Sequence, residues 1–206
     1  MSLGWCRNIS DDGLEILSSQ PNRSEALHTL RLARCSITDD GLKYLEAFER
    51  LEELDLNGVH VSSSALGDTL EKLLHLTSLD VSYCPGVLRS SWQGKINSLK
   101  SLELCYSGVR DTHIARLRSL PMLEVLNLDS CVIGDWSIAH LADNNVVPNL
   151  TTLDLADADI TDGSMENIAK FKNMKHLSLF YCNVSNRGKC GLDLLAYSVF
   201  VIFKHD

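Results

Sequence analysis

Leu123-Glu124-Val125-Leu126-Asn127-Leu128-Asp129-Ser130-Cys131-Val132-Ile133 reads L-x-x-L-x-L-x-x-C-x-I, and this order of apolar and polar residues decides the fold. Leu126 and Leu128 flank a polar residue, the period-two alternation of a strand with one buried face. Asp135-Trp136-Ser137-Ile138-Ala139-His140-Leu141 follows, and Ile138 and Leu141 share a face only at helical spacing. The unit is a strand followed by a helix.

The unit recurs. Segments beginning at Leu27, Leu51, Leu76, Leu99, Leu123, Leu150 and Met174 lie 24, 25, 23, 24, 27 and 24 residues apart. With the first residue as position one, position four is Leu30, Leu54, Leu79, Leu102, Leu126, Leu153 and Leu177. Position six is Leu32, Leu56, Val81, Leu104, Leu128, Leu155 and Leu179. Position nine holds Cys35, Val59, Cys84, Ser107, Cys131, Ala158 and Cys182, and Ile37, Val61, Val109, Ile133, Ile160 and Val184 stand at position eleven. Cys84-Pro85-Gly86-Val87 inserts one residue in the third unit. After Ile37, Thr38 is positioned to cap a helix, and Asp39 and Asp40 place carboxylates in its positive first turn. Val109 to Leu117, Ile133 to Leu141 and Ile160 to Ile168 follow the same plan.

One strand and one helix cannot cover their own apolar faces, so neighbouring units must stack. The expected fold is α/β: a right-handed, horseshoe-shaped solenoid of about seven to eight repeats, with a parallel concave sheet and convex helices. Leu3 and Cys6 fit positions six and nine, and Ile9 to Leu14 match the helix entry at Ile37, so the repeat domain, 1–188, starts mid-repeat. Residues 189–206 diverge from Lys189 onward and are either a foreign tail or an incomplete last repeat, with Val201 and Phe203 available for a final strand. Neither end carries a polar cap, which predicts self-association through exposed apolar core.

Composition sets further bounds. The 206 residues are 45% hydrophobic, and 19 Lys+Arg against 27 Asp+Glu leave a net charge of −8. That charge disfavours nucleic acid and anionic membrane as partners and attracts a basic one. No basic region precedes an apolar stretch at Met1, and the tract Leu192 to Phe203 is too short to span a bilayer. The expected location is therefore cytoplasmic or nuclear, where seven cysteines stay thiols. The sequons at Asn8, Asn22, Asn149 and Asn183 read as chance matches in that setting.

The pattern L-x-x-L-x-L-x-x-C-x-L resembles the leucine-rich repeat, in the cysteine-containing, ribonuclease-inhibitor-like superfamily. Cys6-Arg7-Asn8-Ile9-Ser10-Asp11 and Cys35-Ser36-Ile37-Thr38-Asp39 are similar to the strand-to-helix passage of the repeats on F-box proteins. The resemblance implies a protein-interaction scaffold, or alternatively the substrate-recognition part of an F-box-type ubiquitin ligase receptor. An F-box is a helical module ahead of the repeats, so the ligase role requires a longer parent chain.

Cys6, Cys35, Cys84, Cys131 and Cys182 share position nine, where a small side chain suits the tight exit from the strand and a thiol can bond loop backbone. Neither paired C-x-x-C nor clustered His is present for a metal, and Cys105 and Cys190 have no neighbouring base in sequence. No phosphate-binding, dinucleotide or hydrolase motif occurs, so no catalytic, cofactor or metal residue is assigned and enzyme chemistry is not expected.

A partner face is readable instead. Strand positions three, five and seven point away from the leucine core, and position eight lies at the strand exit. Position five carries Asp55, Asp80, Glu103 and Asp154; positions seven and eight add Tyr83, Tyr106, Asp129, Asp157, Phe180 and Tyr181. Tyrosines beside carboxylates suit a binding hot spot, and the expected partner is a protein with a basic segment. The competing reading is a generic solvated face, since Asp at position five is common in this repeat class whatever it binds.

Overall fold

The computed structural model describes residues 1–20, 26–88, 92, 96–192 and 200–203. Asn22, the interior of the C-terminal apolar tract at 193–199, and 204–206 lie outside the described residues. Eight three-residue strands follow one another: β1 Thr29–Arg31, β2 Glu53–Asp55, β3 Ser78–Asp80, β4 Ser101–Glu103, β5 Val125–Asn127, β6 Thr152–Asp154, β7 His176–Ser178 and β8 Phe200–Ile202. They form one sheet in sequence order, and every pair is parallel.

Register follows the repeat. Leu30, Leu54, Leu79, Leu102, Leu126, Leu153 and Leu177 pair rung by rung, and Val201 continues the row. These seven leucines are at most 2% exposed. A one-residue slip would turn every position-four leucine to solvent, so burial of one face specifies the pairing. Below β1 the chain starts with a half-strand: Leu3 N–H donates to Arg31 O at 2.8 Å, and Trp5 N–H to Ala33 O. Phe200 to Ile202 extend the sheet by an eighth rung, so this part of the divergent segment lies in the repeat register.

The return path on the convex side differs in kind from repeat to repeat. Helices α1 Asp11–Ser18, α3 Ser63–Leu70 and α5 Asp135–Asp143 run for two turns or more. α2 Asp39–Leu42, α4 Asp111–Ile114 and α6 Met165–Ile168 are single turns, with 3-10 turns after α2 at Lys43–Ala47 and before α6 at Asp162–Ser164. α7 spans Asn186–Leu192. The longest helix, α5, belongs to the 27-residue repeat. The single-turn helices α2, α4 and α6 all lie in 24-residue repeats, and α3, with two turns, lies in the 25-residue one. In the third repeat the indole of Trp92 fills the convex core at 2% exposure, and its N–H donates to Ser63 O at 3.2 Å. Among the described residues, no helix is long and apolar enough to cross a membrane.

Two hydrogen-bond ladders tie neighbouring repeats together. The position-nine thiols Cys35, Cys84, Cys131 and Cys182 donate to Leu3, Leu56, Leu104 and Leu155 O at 3.0–3.2 Å, each the position-six carbonyl of a preceding repeat. Burial pushes the Cys84 thiol up to about 11, so it stays protonated and keeps its donor. The second ladder adds to the sequence expectation. Thr38 caps α2 by accepting from Asp40 N–H at 3.3 Å, and the first-turn aspartates of α1, α2, α4 and α5 also reach the next repeat. Asp11 accepts from Thr38 N–H and hydroxyl at 2.9 and 2.6 Å, Asp111 from Gly134 N–H and the Ser137 hydroxyl at 3.0 and 2.6 Å, and Asp162 from Ser185 N–H and hydroxyl at 2.8 and 2.5 Å.

Candidate partner-binding face

Position five draws the carboxylates into one file. Arg31, Asp55, Asp80, Glu103, Asn127 and Asp154 follow each other at Cα-paired rungs of β1 to β6. The file has a local structural role. Asp55, Asp80, Asn127 and Asp154 each accept with Oδ1 from the backbone N–H two residues on, at 2.9, 2.8, 2.9 and 3.0 Å. Such a turn satisfies an N–H that the ending strand leaves unpaired. Glu103 departs from this arrangement: its carboxylate accepts from the Ser101 hydroxyl at 3.4 Å. Arg31, Asp55, Asp80 and Glu103, with Glu53, line a shallow hollow of about 260 Å³.

The electrostatics of that hollow are unfavourable to its own carboxylates. Partial burial raises Asp55 above the ordinary carboxylate value, and the neighbouring Asp80 charge adds to the rise. Burial likewise raises Glu103, and Asp80 and Asp154 push in the same direction. Within this hollow Arg31 is the one basic lining side chain, and its pair with Glu53, 3.8 Å apart, is more than half exposed. An exposed pair of that kind contributes little.

The strand exit forms a second feature. Trp5, Arg34, Gly58, Tyr83, Tyr106, Ser130, Asp157 and Tyr181 occupy position eight in successive repeats, all in the left-handed region at φ between 52° and 67°. That conformation turns each side chain outward at the edge of the sheet. Tyr83 and Tyr106 stack with centroids 5.0 Å apart and planes 9° from parallel. The Arg34 guanidinium lies 5.1 Å from the Tyr83 ring and 5.7 Å from Trp5. To reach Tyr83 it crosses the intervening repeat, where a Cβ on Gly58 would come within 2.4 Å of Arg34 Nε.

Past Tyr106, a hollow of about 360 Å³ is lined by Tyr106, Asp129, Ser130, Ala156, Asp157, Phe180 and Tyr181. Phe180 and Tyr181 meet edge to face at 4.2 Å. The Ser130 hydroxyl donates to Asp129 at 2.7 Å and lies 3.4 Å from Asp157. Cys105 points onto this face, and its thiol donates to Asp129 at 3.4 Å. Burial, and then the Asp129 charge, push the Cys105 thiol up to about 12, which keeps the proton on sulfur. Cys105 therefore orients a carboxylate.

Of the ten residues expected at a partner face, nine divide between two places. Asp55, Asp80 and Glu103 line the first hollow, while Tyr106, Asp129, Asp157, Phe180 and Tyr181 line the second. Tyr83 joins the second through its stack on Tyr106, and Asp154 lies on the sheet one rung beyond Asn127, outside both linings. Sequence reasoning missed Trp5 as part of the aromatic edge and Arg34 as its bridge. The available signal was Trp5 itself, which stands one residue before Cys6, as Tyr83 stands before Cys84. A further hollow of about 810 Å³, bordered by Glu124, Lys172, Lys175, His176 and Phe200, contains none of the ten. Among the described residues, no three His, Cys, Asp or Glu side chains converge in a way that could hold a metal ion.

Comparison with known proteins agrees with this geometry. The leucine-rich repeat family model matches residues 24–45, 119–135 and 148–169. The tubulin-specific chaperone E of Xenopus laevis is 29% identical over 173 residues, covering 80% of this chain and 32% of that protein. The chain therefore spans about a third of that relative's length. Among solved structures, internalin C2 of Listeria monocytogenes superposes with a TM-score of 0.68 at 19% identity, covering 94% of this chain and 92% of the internalin. A second Listeria internalin, inlF, gives 0.65 at 18% identity over 99% of this chain and 60% of its own. Parallel rungs of three residues, a buried leucine at position four of seven successive repeats and these likenesses lead to one conclusion: the chain folds as a leucine-rich-repeat solenoid.

Proposed function

We propose that this chain is a protein-interaction scaffold whose concave sheet receives a basic, extended segment of a partner protein. The observation that carries the reading is the file Asp55, Asp80, Glu103 and Asp154, whose first and third members are raised by burial and by mutual repulsion. A face that holds crowded carboxylates gains from a cation, and charge complementarity also steers the encounter. A labelled lysine-rich peptide is expected to bind the full chain and to weaken as salt rises from about 50 to about 300 mM, because screening shortens the reach of the field. Glu103→Lys is expected to weaken it about tenfold or more. Binding indifferent to both salt and Glu103→Lys overturns the assignment of the groove.

A second reading rests on the likeness to tubulin-specific chaperone E, 29% identical over 80% of this chain. In this reading the concave face holds a client protein in the way of a chaperone. The ubiquitin-ligase alternative draws its support from the cysteine ladder at position nine. The free thiols Cys35, Cys84 and Cys131, all buried, suit a reducing cytosolic or nuclear compartment.

A further inference from the structure

The ring stack of Tyr83 on Tyr106 runs along the line of repeats, because the two planes are nearly parallel and one repeat apart. Arg34 covers the outer face of Tyr83. Tyr106 has one face against Tyr83, and its other face turns toward the hollow above Ser130; 51% of its surface remains exposed. The floor of that hollow carries Asp129 and Asp157, with Asp129 held by Ser130 and Cys105. Among the described residues, its lining includes no Lys or Arg. One end of the tyrosine pair therefore stacks on an arginine of this chain, while the other presents a ring face and two carboxylates.

We propose that this hollow takes an arginine side chain of the partner protein, its guanidinium stacked on Tyr106 and paired with the carboxylates of Asp129 and Asp157. The inference rests on the concave face receiving a basic segment, and it adds which cation is read and where. A guanidinium is planar and weakly hydrated, stacks on aromatic faces and donates in a fork that two carboxylates can share. A lysine ammonium brings the same charge without the flat face. The chain supplies the precedent in Arg34, packed against Trp5 and Tyr83.

The test uses the full chain and two labelled peptides of equal length and charge. One is built from Gly, Ser and Lys, and the other has its central lysine replaced by arginine. The arginine peptide is expected to bind about tenfold more tightly. That ratio should fall to about one in Tyr106→Ala and in Asp157→Asn, and persist in Trp136→Ala, a substitution on the exposed surface of α5. Circular dichroism checks that each variant keeps its fold. Equal affinities for the two peptides, both sensitive to salt, overturn the arginine assignment and leave the groove reading standing. An arginine preference that survives Tyr106→Ala overturns the placement. Failure of both peptides to bind removes the groove reading and the inference with it.

Discussion

At position eight, seven of eight repeats hold a non-glycine residue at positive φ, from Tyr106 at 52° to Trp5 at 67°. For an L-residue this conformation costs about 1–2 kcal/mol through the approach of Cβ to the backbone carbonyl. Glycine would avoid the cost, yet only Gly58 takes that option, beneath the Arg34 side chain. Aromatic and acidic residues at the strand exit give the concave edge its chemistry at the expense of strain. Ser130 tests the point. Ser130→Gly and Ser130→Val both lose the hydroxyl bonds to Asp129 and Asp157, so their difference isolates the backbone. Urea denaturation should find the valine variant less stable by about 1–2 kcal/mol, because a β-branched residue is an outlier in this region. Equal stabilities would remove the argument from strain.

The elements of this fold are short, and their stability comes from neighbours. Strands of three residues and helices of a single turn are below the length at which either persists alone. The aspartates at the starts of α1, α2, α4 and α5 each supply a cross-link. Asp135 accepts from Thr161 N–H at 2.9 Å, from the Thr161 hydroxyl at 2.5 Å and from the Ser164 hydroxyl. Burial alone would raise this carboxyl, but the Ser164 and Thr161 bonds outweigh it and hold Asp135 below its ordinary 3.8. A depressed folded value means that the ionised carboxylate stabilises the fold at neutral pH. The contribution is complete above 3.8 and is lost as acid takes the group through its lower folded value. Asp135→Asn should therefore cost about 1 kcal/mol at neutral pH, low in the range for charged hydrogen bonds because water screens a partly exposed oxygen. The cost should shrink below pH 3.8. A cost constant across that window would show that charge plays no part.

At the scale of the molecule, each strand pairs only with its neighbours in sequence, and the core is one continuous cluster of leucines and their replacements. Such a solenoid behaves as a row of units coupled to nearest neighbours. Leu126, in the middle of the row and 0% exposed, is shared by repeats on both sides. Leu126→Ala should cost about 2–5 kcal/mol through lost burial and an unfilled cavity. Hydrogen exchange should then quicken in β4 and β6 as well as in β5. Loss of protection confined to β5 would argue against coupling through the shared core.

Strand, register and core were legible in the sequence because position four is leucine in seven successive repeats and position six is leucine or valine in the same seven; a parallel stack is the one arrangement that buries both rows. The cysteine ladder was legible for the same reason, since periodic placement exposes a periodic role. The short single-turn helices, the aspartates bonded to the following repeat and the stack of Arg34 on Trp5 and Tyr83 were not. Periodicity reports which residues share a face of the same repeat. It carries no information on which side chains meet across the 24-residue step from one repeat to the next, because that depends on backbone angles at the strand exit and on the length of each return path. Those distances exist only once the repeats are stacked, and they divide nine of the ten expected partner residues between an acidic hollow and an aromatic one, leaving Asp154 outside both.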